Sequence, residues 1–297
     1  MIARVPRQRN VIGKRRLQMS RVAKILSNTK AKIGALVLLI FISVAIFAPL
    51  IAPYSPTVTT FGTQLGPSAS HWLGTTRNGQ DILSQLIWGT RQPLAIALLT
   101  GIAATVLAVV VGIFSGLVGG IWDDGLMMLT NIVLILPGLV LVIVISSYLS
   151  NSNNVLISLV IALTSWPWGA RVLRAQTINL KNEDFVLASR AIGEPIGYIA
   201  FGEILPNMIS LVAANFFFTC LYAVVTASSL QFLGLGNINT VSWGSMLYWA
   251  NNSEALITGA WWWFIPPGIA IGVLGAAFAL LNFGIDEVTN PRLSKGG

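Results

Sequence analysis

The chain has 297 residues, of which 55% are hydrophobic and 9% charged, with a mean hydropathy of +0.76 and a formal net charge of +8. A soluble domain averages about 25% charged residues, so the composition excludes an ordinary soluble protein and implies a polytopic membrane protein. Ten of the eighteen Lys and Arg lie within residues 1–32, ahead of the first apolar run, which marks a topology signal and excludes a nucleic-acid-binding face.

After the basic segment 1–32, the run IGALVLLIFISVAIFAPLIA (33–52) has membrane-spanning length. No small-residue cleavage site follows before PYSP, so it reads as a retained first span. A mixed polar and apolar loop, 53–90, leads to a second span near 93–119. The uncharged stretch from Gly125 to Ala170 is too long for one helix at 1.5 Å per residue. SNSNN at 150–154 divides it into spans near 126–149 and 155–170. A fifth span runs from about Pro206 to Leu230, and a sixth covers 261–283 after a second long loop, 231–260. The expected fold is therefore all-α, with six transmembrane helices, five of them forming a core over 91–285, and a short tail, 286–297.

Six spans place both termini on one side. That side collects 16 Lys and Arg; the other holds only Arg77 and Arg91, so the positive-inside rule predicts cytoplasmic termini. The two long loops are then external, and residues 175–206 form the principal cytoplasmic loop. Trp72, Trp88, Trp243, Trp249, Trp261, Trp262 and Trp263 cluster near the external side, where an interfacial aromatic belt is the expected use.

Catalytic constellations are missing. With one His and one Cys, a His/Cys metal site cannot be assembled, and neither H-E-x-x-H nor G-x-S-x-G occurs. His71 stands beside Trp72 in an external loop and reads as structural. Gly13-Lys14-Arg15 lacks the remainder of a Walker A loop, so no ATP site is expected in this chain. An ion-coupled transporter keeps ionisable groups inside its spans. Here the in-span polar residues are neutral: Thr130, Asn131, Asn215, Thr219 and Thr226. They serve either helix–helix hydrogen bonding or a polar path, with Asn131, Asn215, Thr219 and Thr226 the candidates for the path.

The cytoplasmic loop is the exception to this apolar chain. Asn182 is an expected N-cap, with Glu183 and Asp184 in the first turn. Phe185, Ala188, Ser189 and Ile192 then share a face at i, i+3, i+4, i+7 spacing, and Arg190 projects elsewhere. Gly193 suits a left-handed helix end, followed by Glu194 and the helix-stopping Pro195. A second short helix over about 196–205 leads through Pro206 into the fifth span. The segment balances acids against bases and carries small Ala188 and Ser189. That composition suits close docking to a protein better than lying on lipid.

These residues carry a resemblance. LASRAIGEPIGYIAFGEILPN (187–207) resembles the EAA loop of ABC-importer permeases, with Ala188, Gly193, Ile204, Leu205 and Pro206 at or near the expected places. Leu187 replaces the opening Glu, and Ser189 the second Ala. IFAPLIAPYSP (46–56), HWLGTTRNGQDILSQLIWGTR (71–91), SLQFLGLGNINTVSWGSML (229–247) and NPRL (290–293) resemble, in order, motifs of C-type permeases of the oligopeptide/dipeptide/nickel group. Thr76, Gln80 and Gln85 stand where Asp, Arg and Arg are usual.

The resemblance implies a type I importer fold in a prokaryotic cell membrane. It implies a B-type paralogue as partner permease, two cytoplasmic ATPase subunits that use ATP and Mg, and an external substrate-binding protein. The ATPase-coupling residues would be Phe185, Ala188, Ser189, Arg190, Ile192, Gly193, Glu194 and Pro206. Members of the group carry peptides, oligosaccharides or nickel; peptide is favoured here, and nickel least, because no in-span His or carboxylate site is evident. Against this stand a secondary transporter or channel and a membrane enzyme, neither of which the neutral spans support.

Overall fold

The computed structural model describes residues 28–148 and 153–289. Most of the basic segment 1–32, part of the SNSNN break and the tail with NPRL lie outside the described residues. Within them, helices account for the regular structure, and pairing between extended segments is limited to a single bridge, Thr75 to Asp81. Five helices are long and apolar enough to cross a membrane, and a bent helix pair supplies a sixth crossing when taken as one span.

The first span is α1, Thr29–Ile51, started by Asn28, whose side chain accepts from the amides of Lys30 and Ala31. Pro49 lies inside α1 and has no N–H for the carbonyl of Ala45. Arg91 fills the gap: its Nε donates to the Ala45 carbonyl at 2.7 Å while the guanidinium stacks 4.4 Å from the Trp88 ring centroid. In hydrocarbon a bare carbonyl has no water to turn to. Arg91→Met should therefore destabilise the protein by about 1–3 kcal/mol, read as a lower unfolding temperature in detergent, with Arg91→Lys recovering part of the loss.

The loop after α1 folds over a short helix, α2 (Ile82–Trp88), and continues into α3, Arg91–Val118. Along α3 the residues Ala104, Ala108, Gly112 and Gly116 recur every fourth position and are all buried. They form a stripe of small residues against α6, Asn154–Leu180. A Cβ on Gly112 would sit 2.7 Å from the carbonyl oxygen of Ala170 and 2.9 Å from the Leu173 Cβ. The two backbones approach as closely as glycine permits.

The third span is not one helix. α4, Gly120–Ile135, and α5, Gly138–Ser147, meet at an 83° bend. The expectation of a continuous span over 126–149 is corrected here, and Pro137 is the cause: it forces Leu136 into extended conformation (φ −73°, ψ 132°). α6 in turn runs ten residues beyond the expected end at Ala170, because polar residues leave the membrane without ending a helix.

Then come α7, Asp184–Ala191, and α8, Ile196–Tyr198. A π-helical turn, Ile199–Ile204, follows and leads without a break into α9, Leu205–Phe232. The expected separate helix over 196–205 is thus the first part of the helix that forms the fifth span. Pro206 cannot donate a backbone hydrogen bond, and the widened π turn directly before it accommodates the register change. α10, Trp243–Asn252, opens on a reciprocal Ser242–Ser245 capping box, and α11 spans Trp261–Thr289. Trp243 and Trp263 are 1% and 3% exposed, within one core cluster with Ile82, Val224 and Phe278. They are core residues, not members of an interfacial belt; Trp72, Trp249 and Trp261 remain exposed.

Candidate functional site: an exposed loop helix beside a pocket

The loop of residues 181–204 is built around one anchor. Val186 is fully buried, in a cluster with Ile113, Leu173, Ile199, Ile204 and Met208 from α3, α6, the π turn and α9. Burying a valine contributes about 1.5–3 kcal/mol, enough to hold an eight-residue helix in place. The expected apolar face points elsewhere, about a quarter turn around α7: Phe185, Ala188 and Ile192 are exposed and Ser189 half-buried. That face is uncovered among the described residues.

The expected N-cap shifts by one residue. Glu183 occupies the cap without a side-chain bond, and Asn182 instead donates to the Ile178 carbonyl at 3.4 Å. At the other end Gly193 has φ +80°. Its amide donates to the Arg190 carbonyl at 3.0 Å and the Glu194 amide to the Ser189 carbonyl at 3.1 Å, the paired bonds of a Schellman motif. Leu187 is half-exposed, and among the described residues neither Glu183 nor Asp184 forms an ion pair. The position of the missing Glu therefore presents hydrocarbon. Pro206 is partly buried at the start of α9.

The loop is tied to the bundle by charge. Arg174 on α6 donates from both Nε and Nη2 to the two carboxylate oxygens of Asp123 on α4, each at 2.6 Å. Such a fork-to-carboxylate pair fixes orientation as well as distance. Lys181 donates to the carbonyl of Gly116 at 3.1 Å, at the C-terminal end of α3 where positive charge is favoured. Asp123 stands in the first turn of α4, so the pair joins the start of that helix to the C-terminal part of α6.

α6 and α4 also form walls of a pocket of about 280 Å³, lined by Leu136 and Gly138 at the bend, Ser165 and Trp168 on α6, and Phe218 and Tyr222 on α9, among others. Two of the four expected path residues, Asn215 and Thr219, line it. Asn215 also donates to Thr105 Oγ1 at 3.4 Å. Asn131 instead accepts from Arg171 at 2.8 Å, and Thr226 is buried in helix packing. Trp168, Phe218 and Tyr222 carry most of the pocket's aromatic surface; none was anticipated, although Trp168 stands in a run (164–168) that also holds Thr164 and Ser165.

The opposite end carries the two long loops. His71 Nδ1 lies 2.9 Å from Asp81 Oδ1, and Asp81 Oδ2 accepts from the amide and hydroxyl of Ser84, at 2.8 and 2.7 Å. All three are buried, with the rings of Tyr54 and Phe61 packed at a tilt against the imidazole. His71 thus orders the loop. Gln85 donates to Gln80 at 2.9 Å and to the Pro56 carbonyl at 3.2 Å. Where the resemblance leads one to expect two arginines, Gln80 and Gln85 form a neutral amide pair.

Residues 108–295 match the family described as binding-protein-dependent transport system inner membrane component, and residues 20–67 match the N-terminal TM domain of oligopeptide transport permease C. The chain is similar to the dipeptide transport system permease protein DppC of Alkalihalophilus pseudofirmus (32% identity; 90% of this chain and 87% of that protein). It is also similar to the oligopeptide transport system permease protein OppC of Bacillus subtilis (32%; 91% and 88%). DppC of Haemophilus influenzae aligns at 32% identity over 90% of this chain and 92% of that protein.

Proposed function

The chain belongs to the binding-protein-dependent transport inner-membrane family, as a multi-pass permease of the oligopeptide-permease-C type, and from that premise we propose that it forms half of an ATP-driven import path for di- or oligopeptides. A second, B-type permease supplies the other half. Two ATPase subunits, which bind the ATP and Mg, dock on the 183–206 loop from the cytoplasm, and a binding protein delivers peptide to the 53–90 and 231–260 loops. Both chain termini lie on the cytoplasmic side, and lipid surrounds the bundle.

One observation carries the reading: α7 is pinned by Val186 yet leaves Phe185, Ala188 and Ile192 open. A helix of eight residues that keeps an apolar face uncovered is a docking element. Arg190 and Glu194 flank that face, Ser189 packs at its edge, Gly193 sets the turn, and Pro206 starts the following span. Force applied at α7 has a direct route inward. α6 is a single helix of 27 residues, about 40 Å long, that reaches from the loop to Ser165 and Trp168 in the pocket. The Arg174–Asp123 fork moves α4, and with it the Pro137 bend, in step with α6. Nucleotide-driven closure of the ATPases would thus reshape two pocket walls together. Such switching needs peptide and nucleotide to favour different states of one bundle.

Purification tests the assignment. The chain should co-purify with a second permease and two ATPases, hydrolyse no ATP by itself, and confer peptide-stimulated hydrolysis on the assembly. A chain that alone moved peptide down an ion gradient would be a secondary transporter, and the proposal would fall.

A further inference from the structure

A second pocket, of about 160 Å³, adjoins the first toward the α7 end. The two share Trp168, Asn215 and Phe218, so these three side chains form a layer between an upper and a lower chamber of one path. The chambers differ in charge. The upper has no charged residue in its lining, which mixes aliphatic and aromatic side chains with hydroxyl and amide groups; the lower adds Asn282 and the carboxylate of Asp286 on α11 to the shared Asn215 and an otherwise apolar wall.

Asp286 is poorly placed for stability. It sits in the last turn of α11, where the helix dipole disfavours negative charge, and that turn contains no basic residue. The adjacent Glu287, by contrast, accepts from Lys30 and Asn28, both at 3.1 Å. No ion pair to Asp286 forms among the described residues. A carboxylate three residues past the expected end of the sixth span, lining a largely apolar cavity with no ion-pair partner among the described residues, favours a cation.

Resting on the peptide reading above, we propose that Asp286 receives a primary ammonium group of the peptide after it passes the Trp168–Asn215–Phe218 layer. The ammonium comes from the α-amino terminus or from a lysine side chain. Three donors on one cation match a carboxylate with a neighbouring Asn282 amide, and the upper chamber suits the uncharged part of the same molecule.

The test uses the full complex in proteoliposomes, with Ala-Phe-Ala and Ala-Phe-Lys as probes. Asp286→Asn should slow ATP-driven uptake about tenfold, as loss of a charge-assisted hydrogen bond would. Both peptides slow if the α-amino group is the ligand, and Ala-Phe-Lys alone if the side chain is. Asp286→Glu should restore uptake, while binding-protein affinity and peptide-free ATPase rate stay unchanged in both variants. Wild-type uptake of both peptides by Asp286→Asn overturns the inference, and so does Asp286→Glu being as slow as Asp286→Asn. A wild-type complex that imports neither peptide would instead overturn the peptide reading, and the inference with it.

Discussion

Valine in place of glycine at residue 193 is expected to abolish peptide-stimulated ATP hydrolysis while leaving membrane insertion and yield near those of the parent chain. The backbone there has φ +80°, and no heavy atom lies within 4 Å of where a Cβ would stand. Any penalty is conformational rather than steric crowding. A residue other than glycine in the left-handed region costs about 1 kcal/mol, and a β-branched one more. That is comparable to what the two capping bonds to Arg190 and Ser189 contribute, about 1–3 kcal/mol together, and strained geometry weakens both. The turn should relax, rotating Ile192 and Glu194 away from the face that Phe185 and Ala188 define. Gly193→Asn is the control, since asparagine tolerates the left-handed region, and it should retain most of the coupling. The measurement is ATPase activity of the assembled complex with and without loaded binding protein. Full stimulation in Gly193→Val would show that the turn does not set the docking face.

The largest stability effect is expected at Gly112. Leucine there must push a side chain into the Ala170 carbonyl and the Leu173 Cβ, both under 3 Å from the Cβ position. Two backbones would have to separate, because neither obstacle is the end of a flexible side chain. Overpacking of this kind costs about 3 kcal/mol or more. Gly112→Leu should therefore lower the unfolding temperature sharply and reduce recovery of the assembled complex. Gly125→Leu on α4, where nothing stands within 4 Å, is the matched control and should be unchanged or slightly more stable. Equal behaviour of the two variants would mean that the small-residue stripe is not the seam between α3 and α6.

Much of this was legible because the relevant physics is local. Membrane solvation marks spans by length and apolarity, so their number and approximate positions follow from the chain. Gly193 followed by Pro195 ends a helix through two-residue geometry, and the Schellman bonds are its direct result. What escaped depends on contacts across the bundle. Val186 anchors α7 only because Ile199 and Ile204 return to meet it, and an eight-residue helix shows no such contact in its periodicity. Hydropathy tells where lipid ends but not where a helix ends, which is why α6 runs on to Leu180. The apolar run around Pro137 gives a length and no direction, so the 83° bend was hidden although its proline was in view. Asn131, Asn215, Thr219 and Thr226 look alike in sequence, and only packing separates the two that line the pocket from the two that do not.

Leu187 is exposed where the resemblance leads one to expect a glutamate, so under the proposed docking it would offer an apolar contact instead of a charged one. Docking to the ATPase should then depend weakly on salt, since exposed ion pairs are screened and apolar contacts are not.

The central claim is that this bundle moves peptide only when ATPases act on its loop. The direct measurement is uptake of a labelled peptide into proteoliposomes holding the complete complex, with binding protein outside the permease's long-loop face and ATP on the α7 side. Uptake should require hydrolysable ATP, be indifferent to proton and sodium gradients, and be lost in Gly193→Val. Uptake driven by an ion gradient in the absence of ATP would contradict the account.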